Sequence, residues 1–77
     1  MIFMEFSHLL KELRKDKNLT HEQLAQKLGY SSAIIGHWEK GIREPKLSAI
    51  KAIAVFFDVS TDYLLGFEDE FGAKAKI

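Results

Sequence analysis

The segment from His21 to Trp38, HEQLAQKLGYSSAIIGHW, constrains the fold of this 77-residue chain more than any other stretch. It reads as one short helix, a tight turn at Gly29 and a second short helix. Apolar residues fall where two helices crossing steeply need them: Leu24, Ala25 and Leu28 on the first, then Ile34, Ile35 and Trp38 on the second. Ala25 is small where the second helix crosses the first. Gly29 can take the left-handed backbone that a sharp turn demands.

The flanking residues supply starts and stops for further helices. Ser7 reads as the N-cap of a first helix, with Phe6 as a hydrophobic staple and Leu9, Leu10 and Leu13 recurring at helical spacing. Asn18-Leu19 interrupts that pattern, and Thr20 followed by Gln23 forms a capping box for the second helix. Ser31 caps the third helix, which runs to about Lys40 and stops at Gly41. Pro45 leads into a fourth helix with Leu47, Ile50, Ile53, Ala54 and Phe57 as its inner stripe. Asp58 closes it and Val59 packs into the gap that follows. Ser60 or Thr61 caps a short fifth helix, Asp62 to Leu65, ended by Gly66. No strand pattern and no internal repeat is present, so the chain is all-α. The second and third helices form a helix-turn-helix, a shape that pushes a helix end into a DNA major groove.

Length supports one domain, residues 1–66, with residues 67–77 as a tail that is frayed or part of a dimer interface. A 47% apolar and 29% charged composition argues against disorder. Cysteine is absent, which excludes disulfides and thiolate metal sites and fits a cytoplasmic setting. The opening MIFMEF is broken by Glu5 and lacks the pattern of an export signal. The run AIKAIAVFF is too short and too interrupted to span a bilayer, so no membrane association is expected.

Zero net charge weighs against nucleic-acid binding, but the distribution is uneven. Between Lys11 and Lys46, eight basic residues face five acidic ones, an excess of three positive charges around the central motif. From Leu47 onward, three lysines meet five carboxylates. The molecule is therefore bipolar, and double-stranded DNA is the expected partner.

On the third helix, Ser32, Ala33, Gly36 and His37 take the outward positions, opposite Ile34, Ile35 and Trp38. Ala33 offers thymine a methyl group, Ser32 donates or accepts, and His37 is the most capable base reader. The plainer alternative for His37 is a solvent-exposed helix residue. Gly36 in mid-helix costs about 1 kcal/mol relative to alanine. Either close approach to the groove floor or relief of a clash with a neighbouring helix would offset that. Thr20 and His21 open the second helix, and Ser31 the third, where free N–H groups and the helix dipole suit a phosphate. Gln26 and Lys27 flank that site. For each lysine, a solvated surface charge is the competing reading.

Several segments together resemble the lambda-repressor-like helix-turn-helix domain, and more narrowly the Cro/CI-type transcriptional regulators. They are Leu10 to Arg14, Leu19-Thr20 with Glu22 to Ala25, Leu28-Gly29, Trp38-Glu39 with Gly41, Arg43 to Pro45, and Val59 to Gly66. The resemblance covers about residues 6–66. It implies a compact five-helix bundle whose second and third helices read DNA, a homodimer on a near-palindromic operator, and most often repression. It places further backbone contacts in the loop after the third helix, where Lys40, Arg43 and Lys46 stand, and base readers at Ser32, Ala33, Gly36 and His37. It also implies an inward ion pair between Arg14 and Glu39. The outward positions depart from the family's usual glutamine and arginine, so direct readout is thin and DNA shape is expected to contribute. A dimer interface is expected at Tyr63, Leu64, Phe67 and Phe71, although Phe67 folded back on the fifth helix is an equal reading.

Two other classes compete with this one. His8, His21 and His37 lie on separate helices without metal-ligand spacing, and no phosphate loop or nucleophile elbow occurs, so neither catalysis, a metal nor a cofactor is expected. A protein-binding module of the same fold, such as an antitoxin with a toxin or anti-repressor partner, is mildly favoured by the neutral charge and the bare third helix.

Overall fold

The computed structural model describes residues 2–66, with side chains from Glu5 onward. Five helices follow in order: α1 (Ile2–Asp16), α2 (His21–Leu28), α3 (Ser32–Lys40), α4 (Leu47–Phe57) and α5 (Thr61–Leu64). No strand occurs among the described residues. This is the five-helix lambda-repressor-like arrangement the sequence implies.

The first four helices end by one device. Asn18, Gly29, Gly41 and Asp58 each adopt a left-handed backbone, with φ between 57° and 82°. The next residue then turns its N–H back to the carbonyl five positions earlier. These ties are Leu19 to Arg14 (3.1 Å), Tyr30 to Ala25 (2.9 Å), Ile42 to His37 (3.0 Å) and Val59 to Ala54 (3.0 Å). They satisfy carbonyls that a helix end otherwise leaves open. Leu19, Tyr30 and Val59 pack against the core after their turns, whereas Ile42 is 67% exposed.

The core is built from every helix: Phe6 and Leu10 of α1, Leu24 and Ala25 of α2, Ile35 and Trp38 of α3, the inner face of α4, and Leu64 of α5. Trp38 anchors α3, meeting Tyr30 edge-on at 5.1 Å and Phe6 at 6.5 Å between ring centroids.

The structure departs from four expectations. Ser7 is not an N-cap, because α1 begins at Ile2 and Ser7 lies buried inside it. Phe6 and Leu10, four residues apart on one face of this longer helix, are both fully buried, which places Ser7 between them in the helix interior. Leu47 is not on the inner stripe of α4; it is 68% exposed. At 100° per residue the buried arc of Ala49, Ile50, Ile53, Ala54 and Phe57 leaves Leu47 roughly 90° from its centre. Leu64, expected at a dimer interface, is wholly buried in the protein's own core and offers no surface to a partner. The fifth helix also begins one residue earlier than expected, capped by Ser60, whose Oγ accepts the Tyr63 N–H at 3.0 Å. Tyr63 remains partly exposed, whereas Phe67, Phe71 and the rest of the tail lie outside the described residues.

Candidate nucleic-acid interface

The caps of α2 and α3 decide where the exposed face begins. Thr20 Oγ1 accepts the Gln23 N–H at 3.1 Å, and Gln23 Oε1 accepts the Thr20 N–H at 2.9 Å, a complete capping box. Ser31 Oγ accepts the Ile34 N–H at 3.2 Å. Each cap hydroxyl is thereby used as an acceptor, and its own O–H remains to donate outward. The residues between these caps and the apolar faces then turn to one side. Thr20, His21, Glu22, Ser32, Ala33, Gly36, His37 and Lys40 line a single open groove of about 480 Å³. Two helix N-termini meet there, and their first-turn N–H groups favour negative charge.

The groove joins the expected base readers Ser32, Ala33, Gly36 and His37 with Thr20, His21 and Lys40. The other expected backbone contacts stand apart. Gln26 and Lys27 lie near the far end of α2 and line a different depression with Leu19 and Gln23. Arg43 and Lys46 are exposed beside Tyr30, Ile34 and Trp38 on the loop after α3. Ser31 is exposed at the start of α3. Glu22, which sequence reasoning passed over, also lines the groove. Its place in the first turn after Thr20 was the available signal.

Gly36 carries the clearest geometric message. A Cβ built there meets nothing within 4 Å beyond its own helix backbone. Relief of an interhelical clash is therefore not why glycine stands at this position.

Behind the groove, α3 is locked to both preceding helices through Glu39. Arg14 Nε donates to Glu39 Oε2 at 2.7 Å and Nη2 donates to Oε1 at 3.1 Å. Arg14 Nη1 also donates to the Leu19 carbonyl at 2.8 Å, tying the connection between α1 and α2 into the same knot. His21 Nε2 lies 3.0 Å from Glu39 Oε1. A carboxylate can only accept, so Nε2 carries the proton. His21 Nε2 is thus committed inward, while the side chain remains 43% exposed and lines the groove. The Glu39 side chain is only 5% exposed. Burial alone would raise its pKa, but hydrogen bonds from Arg14 and then His21, with the attraction of both, outweigh burial and hold it below the ordinary carboxylate range.

Among the described residues no cluster of three or more His, Cys, Asp or Glu side chains is placed to hold a metal ion. None of their helices is long and apolar enough to cross a membrane.

The sequence profile of the helix-turn-helix family matches residues 10–64, and the chain belongs to that family. Over 66 residues it is 46% identical to the HTH-type transcriptional activator BcrR of Enterococcus faecalis, covering 86% of this chain and 32% of BcrR. It spans about half the length of two further curated relatives, the HTH-type transcriptional regulators YobD and YqaE of Bacillus subtilis. The restriction-modification controller protein C.AhdI from Aeromonas hydrophila superposes with a TM-score of 0.73 at 32% identity, over 80% of this chain and 94% of that one. The same fold forms part of the hydroxypropylphosphonic acid epoxidase from S. wedmorenis, with a TM-score of 0.74 at 26% identity over 96% of this chain and 41% of the epoxidase.

Proposed function

We propose that this chain is a sequence-specific double-stranded DNA-binding regulator of transcription, acting as a dimer on a near-palindromic operator in the cytoplasm, with no catalytic role. Repression is the sense we favour. Because the fold also occurs within an epoxidase, the fold alone does not carry this reading; the face does. The observation that carries it is the groove in which two capped helix N-termini converge on Ser32, Ala33, Gly36 and His37. In this reading α3 lies across the major groove and the bare Gly36 lets its backbone approach the bases closely. Thr20, Ser31, Lys40, Arg43 and Lys46 hold phosphates around it, and Arg43 does so with a forked guanidinium.

Selection of bound genomic fragments, followed by mobility shift across a salt series, tests this directly. Affinity is expected to fall steeply with salt as counterions are displaced. Arg43→Ala is expected to weaken all sequences alike, whereas His37→Ala changes preference at one operator position. Absence of a shift on any selected fragment, or native-like operator binding by both variants, sinks the reading. In that event a salt-insensitive protein partner, such as a toxin or an anti-repressor, becomes the better account.

A further inference from the structure

Helix α4 is apolar almost all round: nine of its eleven residues are apolar, and a helix of that kind is ordinarily enclosed. Here only one side is. Val55 stands 80% exposed, and beside it Phe56 and Leu28 form an open groove between α4 and the end of α2, holding about 450 Å³. Lysines ring this groove. Lys27 and Lys51 line it, and Lys17 Nζ stands 5.9 Å from the Phe56 ring centroid. Among the described residues none of these three lysines has a carboxylate within ion-pair distance. An exposed apolar patch bordered by unpaired cations is complementary to an acidic segment carrying apolar side chains.

The chain contains one such segment, Phe67-Glu68-Asp69-Glu70-Phe71, with three consecutive carboxylates between two aromatics. We propose that the α2–α4 groove seats residues 67–71 of a second copy of this chain. This rests on the dimer reading above and supplies the surface that Leu64, being buried, does not.

Seated on a second copy, the exchange is reciprocal, each copy's acidic segment meeting the other's lysines, and the mixing arm of the test below separates this from a segment that folds onto its own groove.

The test is charge reversal in the full chain, without DNA, followed by sedimentation velocity. One variant reverses the groove (Lys17→Glu with Lys51→Glu) and another reverses the tail (Glu68→Lys with Glu70→Lys). Lys17 and Lys51 are exposed, and circular dichroism confirms that each variant is folded. The wild-type chain is expected to dimerise, and each variant alone to associate at least tenfold more weakly. An equimolar mixture is expected to recover wild-type association, because each groove then meets a tail of opposite charge on the other copy. A monomeric wild-type chain, variants that dimerise as well as wild type, or a mixture that stays monomeric each overturns the proposal. Operator binding is judged separately by mobility shift, so a chain that binds DNA without this exchange sinks the docking and spares the DNA reading.

Discussion

Arg14 of α1 grips Glu39 of α3 with two hydrogen bonds, and both side chains are nearly closed to solvent at 11% and 5% exposure. The pair fixes the helix that carries the outward-facing residues against the helix that opens the fold. His21 closes the third side, so one carboxylate joins α1, α2 and α3. Removing Arg14 leaves that carboxylate buried with half its partners. Arg14→Met is expected to lower stability by about 3 kcal/mol, at the low end for breaking a buried pair because His21 still contributes. Urea unfolding monitored by tryptophan fluorescence measures it.

The same carboxylate sets a pH dependence. Its folded pKa lies below the unfolded value, so its stabilising contribution is complete above the ordinary carboxylate range and fades as pH falls through the folded value. The stability gap between wild type and Glu39→Gln is therefore expected to be widest near neutrality and to narrow in acid. Equal gaps at neutral pH and in acid would contradict this.

Gly36→Ala separates folding from binding. No neighbour lies within 4 Å of the added methyl, so the helix gains about 1 kcal/mol, about 5 °C in melting temperature for a domain of this size. If α3 approaches the bases as proposed, the same methyl overpacks that contact and operator affinity falls about tenfold. Thermal melting and mobility shift on one preparation read both effects.

Glu22 is the single carboxylate lining the groove. Glu22→Gln is expected to raise affinity severalfold on all DNA sequences, with the gain shrinking as salt screens the lost repulsion. A change confined to one operator position would instead mark Glu22 as a base reader.

Leu64 and Leu47 carry the same side chain in opposite environments. Leu64→Ala is expected to cost about 3 kcal/mol, as a fully buried leucine does, whereas Leu47→Ser should stay within about 0.5 kcal/mol. Denaturant midpoints for the two variants decide it.

Local signals proved legible where a residue acts on its own backbone neighbourhood. The Thr20–Gln23 box, the Ser31 cap and the turns at Gly29 and Gly41 all follow from spacing of three or four residues, and each is present. Reading faltered where the answer depends on what lies across the fold. Ser7 has the chemistry of a cap, yet α1 runs through it and buries it. Leu64 looked like an available apolar residue because nothing local says that α5 turns it into the core. Of the groove residues, the outward positions of α3 were evident from periodicity. The engagement of His21 with Glu39, eighteen residues away, was not, since it exists only once α2 and α3 have crossed.

The repeated tie-off at residues 18, 29, 41 and 58 has a consequence for how such a chain can change. Each loop is closed by backbone hydrogen bonds, and the orientation of α3 is held by Arg14, Glu39 and Trp38 from behind. The side chains of Ser32, Ala33, Gly36 and His37 take no part in that framework. Their letters can be exchanged while the frame stays intact, so a duplicated copy could acquire a new target through a few point changes and still fold as its parent does.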